Sequence, residues 1–172
     1  DTLALIKTAQ DFGVPFRILE AVAAVNDQRK RGMARRIIQA CGGSIHGKTI
    51  AVLGLTFKPN TDDMRDAPSL DIVPALLQAG AKIVAFDPEG MSEAGKLLQG
   101  ITFAKTAYEA IAGADVMVVI TEWHEFRGLD PRRLKEAMRT PRVVDLRNIF
   151  NPEEMRSLGF SYEGIGRPRP KA

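Results

Sequence analysis

The chain has 172 residues, 45% of them hydrophobic, with 24 Lys and Arg against 21 Asp and Glu and a formal net charge of +3. That is enough for one domain with its own core plus an added helical piece, and the scattered basic residues argue against a nucleic-acid-binding class. No apolar run nears the ~20 residues that cross a bilayer, no basic-then-apolar leader is visible, and one cysteine, Cys41, allows no internal disulfide, so a reducing, cytoplasmic setting is expected.

Residues 1–43 read as helical. TLALIKTAQDFG places Leu3, Ile6, Ala9 and Phe12 at helical spacing and stops at Gly13. The stretch that follows has Pro15 suited to a first turn and a stripe of Ile18, Val22, Val25, Met33, Ile37 and Ile38. It stops at Gly42 and Gly43. Gly32 inside it costs up to ~1 kcal/mol relative to Ala, and a close helix approach there would account for it. A long helix with one apolar and one basic face needs a partner surface, and a second subunit is the expected one. The chain lacks an initiator Met and opens in helix-like sequence, as expected of a piece of a longer protein.

From Lys48 onward strands alternate with helices. KTIAVLGL, KIVAFDP, ITFA, DVMVVIT, RVVDLRN and FSYEGIG read as strands; APSLDIVPALLQAG, SEAGKLLQG, TAYEAIAGA, DPRRLKEAM and NPEEMRSLG read as helices. Thr106 and Asp130 are expected helix caps. Apolar strands separated by helices predict an α/β fold: a Rossmann-like, six-stranded parallel sheet in the order 3-2-1-4-5-6, with helices on both faces. Residues 1–43 form the helical segment, 44–166 the sheet domain, and 167–172 a polar tail expected to be disordered.

In such a sheet ligands bind beyond the carboxyl ends of the strands, where the strand order reverses. The loops there read TFKPNTDDMRDAPS, TEWHEF and RNIF. Gly54 opens the first, but the further glycines of a dinucleotide fingerprint are missing. Phe57 offers a flat face for a base, and Lys58 and Arg147 share a sheet edge as candidate diphosphate ligands. The alternative is that Lys58 and Arg147 pair with Asp62, Asp63 or Asp145. Arg65 could likewise be a loop salt bridge, and Asp66 or Ser69 a helix cap. Asp87 ends the second strand where a dinucleotide fold holds ribose, a poor signal without the glycine loop. Glu122 and Trp123 are possible ligand contacts, with Trp123 equally able to plug the sheet edge. Cys41 is read as buried against a reactive alternative. His46 and His124 lie far apart, so no metal site is expected, and no nucleophile–base pair assembles.

GLTFKPNTDDMRDAPS, FDP, ADVMVVITEWHEF and VVDLRN, in this order and spacing, resemble the UDP-glucose/GDP-mannose dehydrogenase family. DTLALIKTAQDFGVPFRILEAVAAVNDQRKRGMARRI resembles the stretch that opens at the family's catalytic segment and runs into its long central helix, so the resemblance covers essentially the whole chain. It implies a central dimerisation helix followed by a UDP-sugar-binding domain, with the NAD domain and the nucleophilic cysteine upstream of Asp1. Asp1 would end the family's Cys-Phe-Pro-Lys-Asp segment and take a supporting catalytic role; Cys41 is then not the nucleophile. Phe57 would lie beside the uridine, Lys58 and Arg147 would bind the UDP-sugar, and Arg65 would reach the NAD. The implied reaction is a twofold oxidation of UDP-glucose at C6, reducing two NAD, by a homodimer. This chain alone would bind the UDP part and be inactive. The alternatives are a stand-alone nucleotide-sugar-binding module and a relative acting on a GDP-mannose or UDP-N-acetyl sugar.

Overall fold

In a computed structural model residues 2–167 are described; Asp1, with its expected catalytic role, and nearly all of the expected tail lie outside the described residues. The chain begins with helix α1 (Thr2–Asp11), which ends at Gly13 with φ 70. Helix α2 (Arg17–Ala40) follows, 24 residues long. Pro15 lies before it rather than in its first turn, and Gly42 and Gly43, both at positive φ, stop it. Cys41 caps its C-terminus and is buried, and that burial pushes its thiol up from the ordinary value.

The sheet strands are β1 (Thr49–Leu53), β2 (Lys82–Phe86), β3 (Thr102–Phe103), β4 (Val116–Val119), β5 (Arg142–Asp145) and β6 (Ser161–Gly164). All pairs are parallel, and the order is β3-β2-β1-β4-β5-β6, as the alternation of apolar strands and helices predicts. The helices between them are α3 (Ser69–Gln78), α4 (Met91–Leu97), α5 (Ala107–Ile111), α6 (His124–Arg127), α7 (Pro131–Ala137) and α8 (Pro152–Ser157). Thr106 caps α5 by accepting from the Glu109 N–H, and Asp130 caps α7 by accepting from the Arg132 N–H. Helix α6 forms inside TEWHEF, which reads as a loop in sequence. One turn is stable there because Phe126 is fully buried and its ring meets Phe86 edge-on, with centroids 6.1 Å apart.

Strand side chains alternate between two apolar layers. Ile50, Val52, Ile83, Val116, Val118 and Val144 face one layer, closed by Ile37 of α2 and Ile72, Val73 and Leu76 of α3. Ala51, Leu53, Met117, Val119 and Val143 face the other, closed by Ile111, Phe126, Leu134 and Met155 of α5 to α8.

The stripe on α2 therefore divides. Its C-terminal half is inside: Ile37 is buried, and Met33 and Ile38 pack against the core. Its N-terminal half is bare, with Ile18 74% and Val25 61% exposed, and on the α1–α2 turn Phe12 is 81% exposed. Two polar ties anchor the helix: Lys30 Nζ donates to the Asp66 carbonyl at 2.9 Å, and Arg36 Nη2 to the Gly164 carbonyl at 2.6 Å. Among the described residues, no helix is long and apolar enough to cross a membrane.

Two glycines behave oppositely. Gly54, just past β1, has φ 84, and a Cβ there would lie 2.6–2.7 Å from Thr121 Cβ, N and O. Strand β4's loop thus passes where any side chain would stand. Around Gly32 a Cβ would meet nothing within 4 Å, so no close approach within the described chain explains it. Gly54→Ala should cost about 3 kcal/mol, from positive φ plus an immovable backbone neighbour. Gly32→Ala should stabilise by about 0.5–1 kcal/mol. Urea midpoints measured on both variants test this; a Gly54→Ala midpoint equal to the parent's would contradict it.

Candidate functional site

The loops after β1, β4 and β5 converge at the carboxyl edge of the sheet, and buried carboxylates hold them. Asp87, just after β2, is fully buried. One of its oxygens accepts from the Leu55 N–H (2.6 Å), the Thr56 N–H (3.2 Å) and the Trp123 indole Nε1–H (3.0 Å). The other accepts from the Glu89 (3.1 Å) and Gly90 (2.7 Å) N–H groups. A buried carboxylate is tolerated when so saturated. Asp87 therefore has no role toward ribose here; it ties the β1, β2 and β4 loops together. Trp123 resolves the same way: it is 6% exposed and plugs the edge, aimed at Asp87. Thr121 Oγ1 adds a 2.6 Å bond to the Thr56 carbonyl.

Asp145 does the same at the end of β5. It accepts from the Arg147 N–H (3.0 Å), the Phe150 N–H (3.0 Å) and the Tyr162 hydroxyl (2.8 Å). Burial, then the Asp145 charge and hydrogen bond, push the Tyr162 phenol up, so it stays a neutral donor.

The loop carrying Phe57 is closed by its own N–H, which donates to the Asp63 carbonyl at 2.9 Å, with Asn60 in the left-handed region at φ 63. Neither Asp66 nor Ser69 caps α3. Asp66 also adopts positive φ, and the Ser69 hydroxyl donates to the Leu55 carbonyl. Arg65 closes on Asp63, with Nε 3.0 Å from Oδ1 and Nη2 2.8 Å from Oδ2. The side-chain hydrogen bond from Arg65, then its backbone N–H, lower Asp63 to about 2. Arg65 is thus a loop ion pair, and its side chain is otherwise largely exposed.

Between this edge and α2 lies a cleft of about 970 Å³. Phe57 and Arg147 both line it, so the structure brings these two expected residues together. Phe57 is 46% exposed, an aromatic left uncovered at the cleft wall. Lys58 is exposed beside Phe57 but is not a lining residue, and among the described residues its ammonium has no hydrogen bond or ion pair. Arg65 does not line the cleft either. The expected acidic partners of Arg147 are wrong in identity: its side chain pairs with Glu122, while Asp145 takes only its backbone N–H. Arg29 and Lys30 of α2 also line the cleft. They are not foreseen as site residues, although the basic face of α2 carries the signal. Among the described residues, no three His, Cys, Asp or Glu side chains gather as a metal-ligand set.

Chemically, the arrangement offers an aromatic face, cations on two opposing elements and rigid loop backbone. Among the described residues, the cleft lining gathers no acid–base–nucleophile array. Residues 51–152 match the UDP binding domain of the UDP-glucose/GDP-mannose dehydrogenase family. The chain is 58% identical over 168 residues to a UDP-glucose 6-dehydrogenase of Rhizobium meliloti, covering 98% of this chain and 38% of that protein. It is 41% identical over 175 residues to the UDP-glucose 6-dehydrogenase of Pseudomonas aeruginosa, covering 98% and 39%. The solved structure of a UDP-glucose dehydrogenase from the hyperthermophilic archaeon Pyrobaculum islandicum superposes with a TM-score of 0.78 at 28% identity, covering 97% of this chain and 36% of that one. The chain thus spans under two-fifths of the length of these relatives. It belongs to the UDP-glucose/GDP-mannose dehydrogenase family, and the strand-end loops that build the cleft fall within that family's UDP binding domain.

Proposed function

We propose that the cleft binds the UDP part of a nucleotide sugar. The observation that carries this reading is the meeting of Phe57 and Arg147 in one cleft at the strand-order reversal, with Arg29 and Lys30 facing them from α2. Uracil stacks on the exposed face of Phe57, and the diphosphate sits against Arg147 and Lys58. Charge-assisted hydrogen bonds of this kind contribute about 1.5–3 kcal/mol each.

The residues present do not fit a dinucleotide site of their own. Gly54 has no companion glycines, and the Asp87 carboxylate is saturated by the protein. A hydride acceptor such as NAD is therefore assigned to parts of the whole protein beyond these residues. Arg65, poised on the exposed side of the loop, is the residue proposed to reach it. For the whole protein we propose oxidation of UDP-glucose with NAD, supported by the names of the relatives. A full-length protein forming no NADH from UDP-glucose would overturn that part. Self-association belongs to the same reading, because the bare stripe of Ile18, Val22 and Val25 needs a cover. A second copy is the proposed cover, and a strictly monomeric sedimentation profile at high concentration would contradict it.

The site itself is tested by calorimetry with UDP. The chain should bind UDP, and Lys58→Ala and Arg147→Ala should each weaken binding by about tenfold, which is about 1.4 kcal/mol. The affinity should fall as salt rises, as screening of the cations requires. Unchanged affinity in both variants would remove these residues from the site.

A further inference from the structure

Arg147 lines the cleft, whereas Glu122 does not. Glu122 stands in the loop after β4 and Arg147 in the loop after the neighbouring β5, and the Glu122 carboxylate accepts a hydrogen bond from Arg147 Nε. Both side chains are about one-third exposed, at 30% and 35%. That bond uses one of the five N–H donors of the guanidinium. Among the described residues its two Nη groups have no partner. A guanidinium gripped through Nε keeps its front edge, both Nη groups, as a fork for two oxygens of one anion.

The base of the arginine is fixed as well. Its backbone N–H is held by Asp145 at 3.0 Å. The next residue, Asn148, has φ 56 and clasps Ile165 from both sides, donating to its carbonyl and accepting from its N–H at 3.0 Å each. The free side of Arg147 is thus aimed by a carboxylate that is not itself a lining residue of the cleft. Burial pushes the Glu122 carboxyl up, but the Arg147 hydrogen bond, its own backbone N–H and the Arg147 charge together hold it below the ordinary range, so the pair stays ionised near neutrality.

We infer that Glu122 is a positioning residue for the diphosphate: it holds Arg147 by Nε so that the Nη edge faces the cleft, and it acts on the ligand only through that arginine. This rests on the reading of the cleft as a UDP site. An unheld arginine would lose rotamer freedom on binding, and would also present its fork in fewer productive orientations.

The test is calorimetry with UDP and with uridine on the parent chain, Glu122→Ala, Glu122→Gln, Arg147→Ala and the Glu122→Ala/Arg147→Ala pair, with thermal melts alongside. Glu122→Ala should weaken UDP by about tenfold and leave uridine unchanged. The double variant should bind UDP no more weakly than Arg147→Ala, because Glu122 acts only through Arg147. Glu122→Gln keeps the shape and an oxygen that can accept from Arg147 Nε but loses the charge, so it replaces the alanine variant if that one melts early, and it should show a smaller loss, again for UDP alone. Unchanged UDP affinity, equal losses for UDP and uridine, or additive losses in the double variant would overturn the inference. If Arg147→Ala weakens UDP and neither Glu122 variant does, this inference alone fails. If the parent chain binds no UDP, the reading of the cleft fails and the inference with it.

Discussion

The Asp87 carboxylate is the group on which the strand-end loops depend. It is fully buried, and a buried carboxylate is costly unless its lone pairs are filled. Four backbone N–H groups and the Trp123 indole fill them, from the loops after β1, β2 and β4. Those loops flank the point where the strand order reverses, so one charge locks the platform on which Phe57, Lys58 and Glu122 stand. Asp145 repeats the device one strand over, holding the start of the Arg147 loop and the Tyr162 hydroxyl of β6. Side chains carried on such frames lose little freedom when a ligand arrives, which is the physical meaning of a preformed site.

The same economy bears on how this edge would bind an anion under the proposed reading: through side chains. A glycine-rich turn exposes helix N-terminal amides to a pyrophosphate. Here the second and third amides of α3 are taken: Leu70 N–H donates to the Ala67 carbonyl and Asp71 N–H to the Pro68 carbonyl. The Phe57 amide is spent on closing its own loop. The cleft offers cationic side chains instead, and α2 supplies two of them, Arg29 and Lys30. The long helix thus has two faces with separate duties. One half of its apolar stripe seals the core, while its basic residues form the far wall of the cleft, pinned by Lys30 and Arg36.

The sheet order was legible because the apolar runs leave few arrangements: Val116 to Val119 is buried along its whole length, which suits an inner parallel strand. The location of the cleft was legible for the same reason, since topology dictates where loops gather. Pairings were not. Nothing in the spacing distinguishes Glu122 from Asp62, Asp63 or Asp145 as the partner of Arg147, because that choice depends on the register of β4 against β5 and on which acid the backbone has already consumed. Asp87 was misleading for a related reason: a strand-end aspartate looks the same in sequence whether it faces ribose or five protein donors. Arg29 and Lys30 were visible as charge but not as site residues, because the packing of α2 on α3 is a tertiary fact. Helix α6 was hidden by its length; a single turn has no periodicity to read, and only the burial of Phe126 selects it.

We propose that a carboxylate-locked strand edge presents a nucleotide diphosphate to Phe57 and Arg147 from one side and to α2 from the other. The most direct measurement is a backbone amide chemical-shift map of the chain titrated with UDP. Shifts should concentrate in residues 54–58, 120–123 and 146–148 and on α2 around Arg29 and Lys30, with the opposite sheet edge near Lys48, Asp115 and Arg139 silent. Shifts centred on that opposite edge, or spread evenly over the surface, would contradict it.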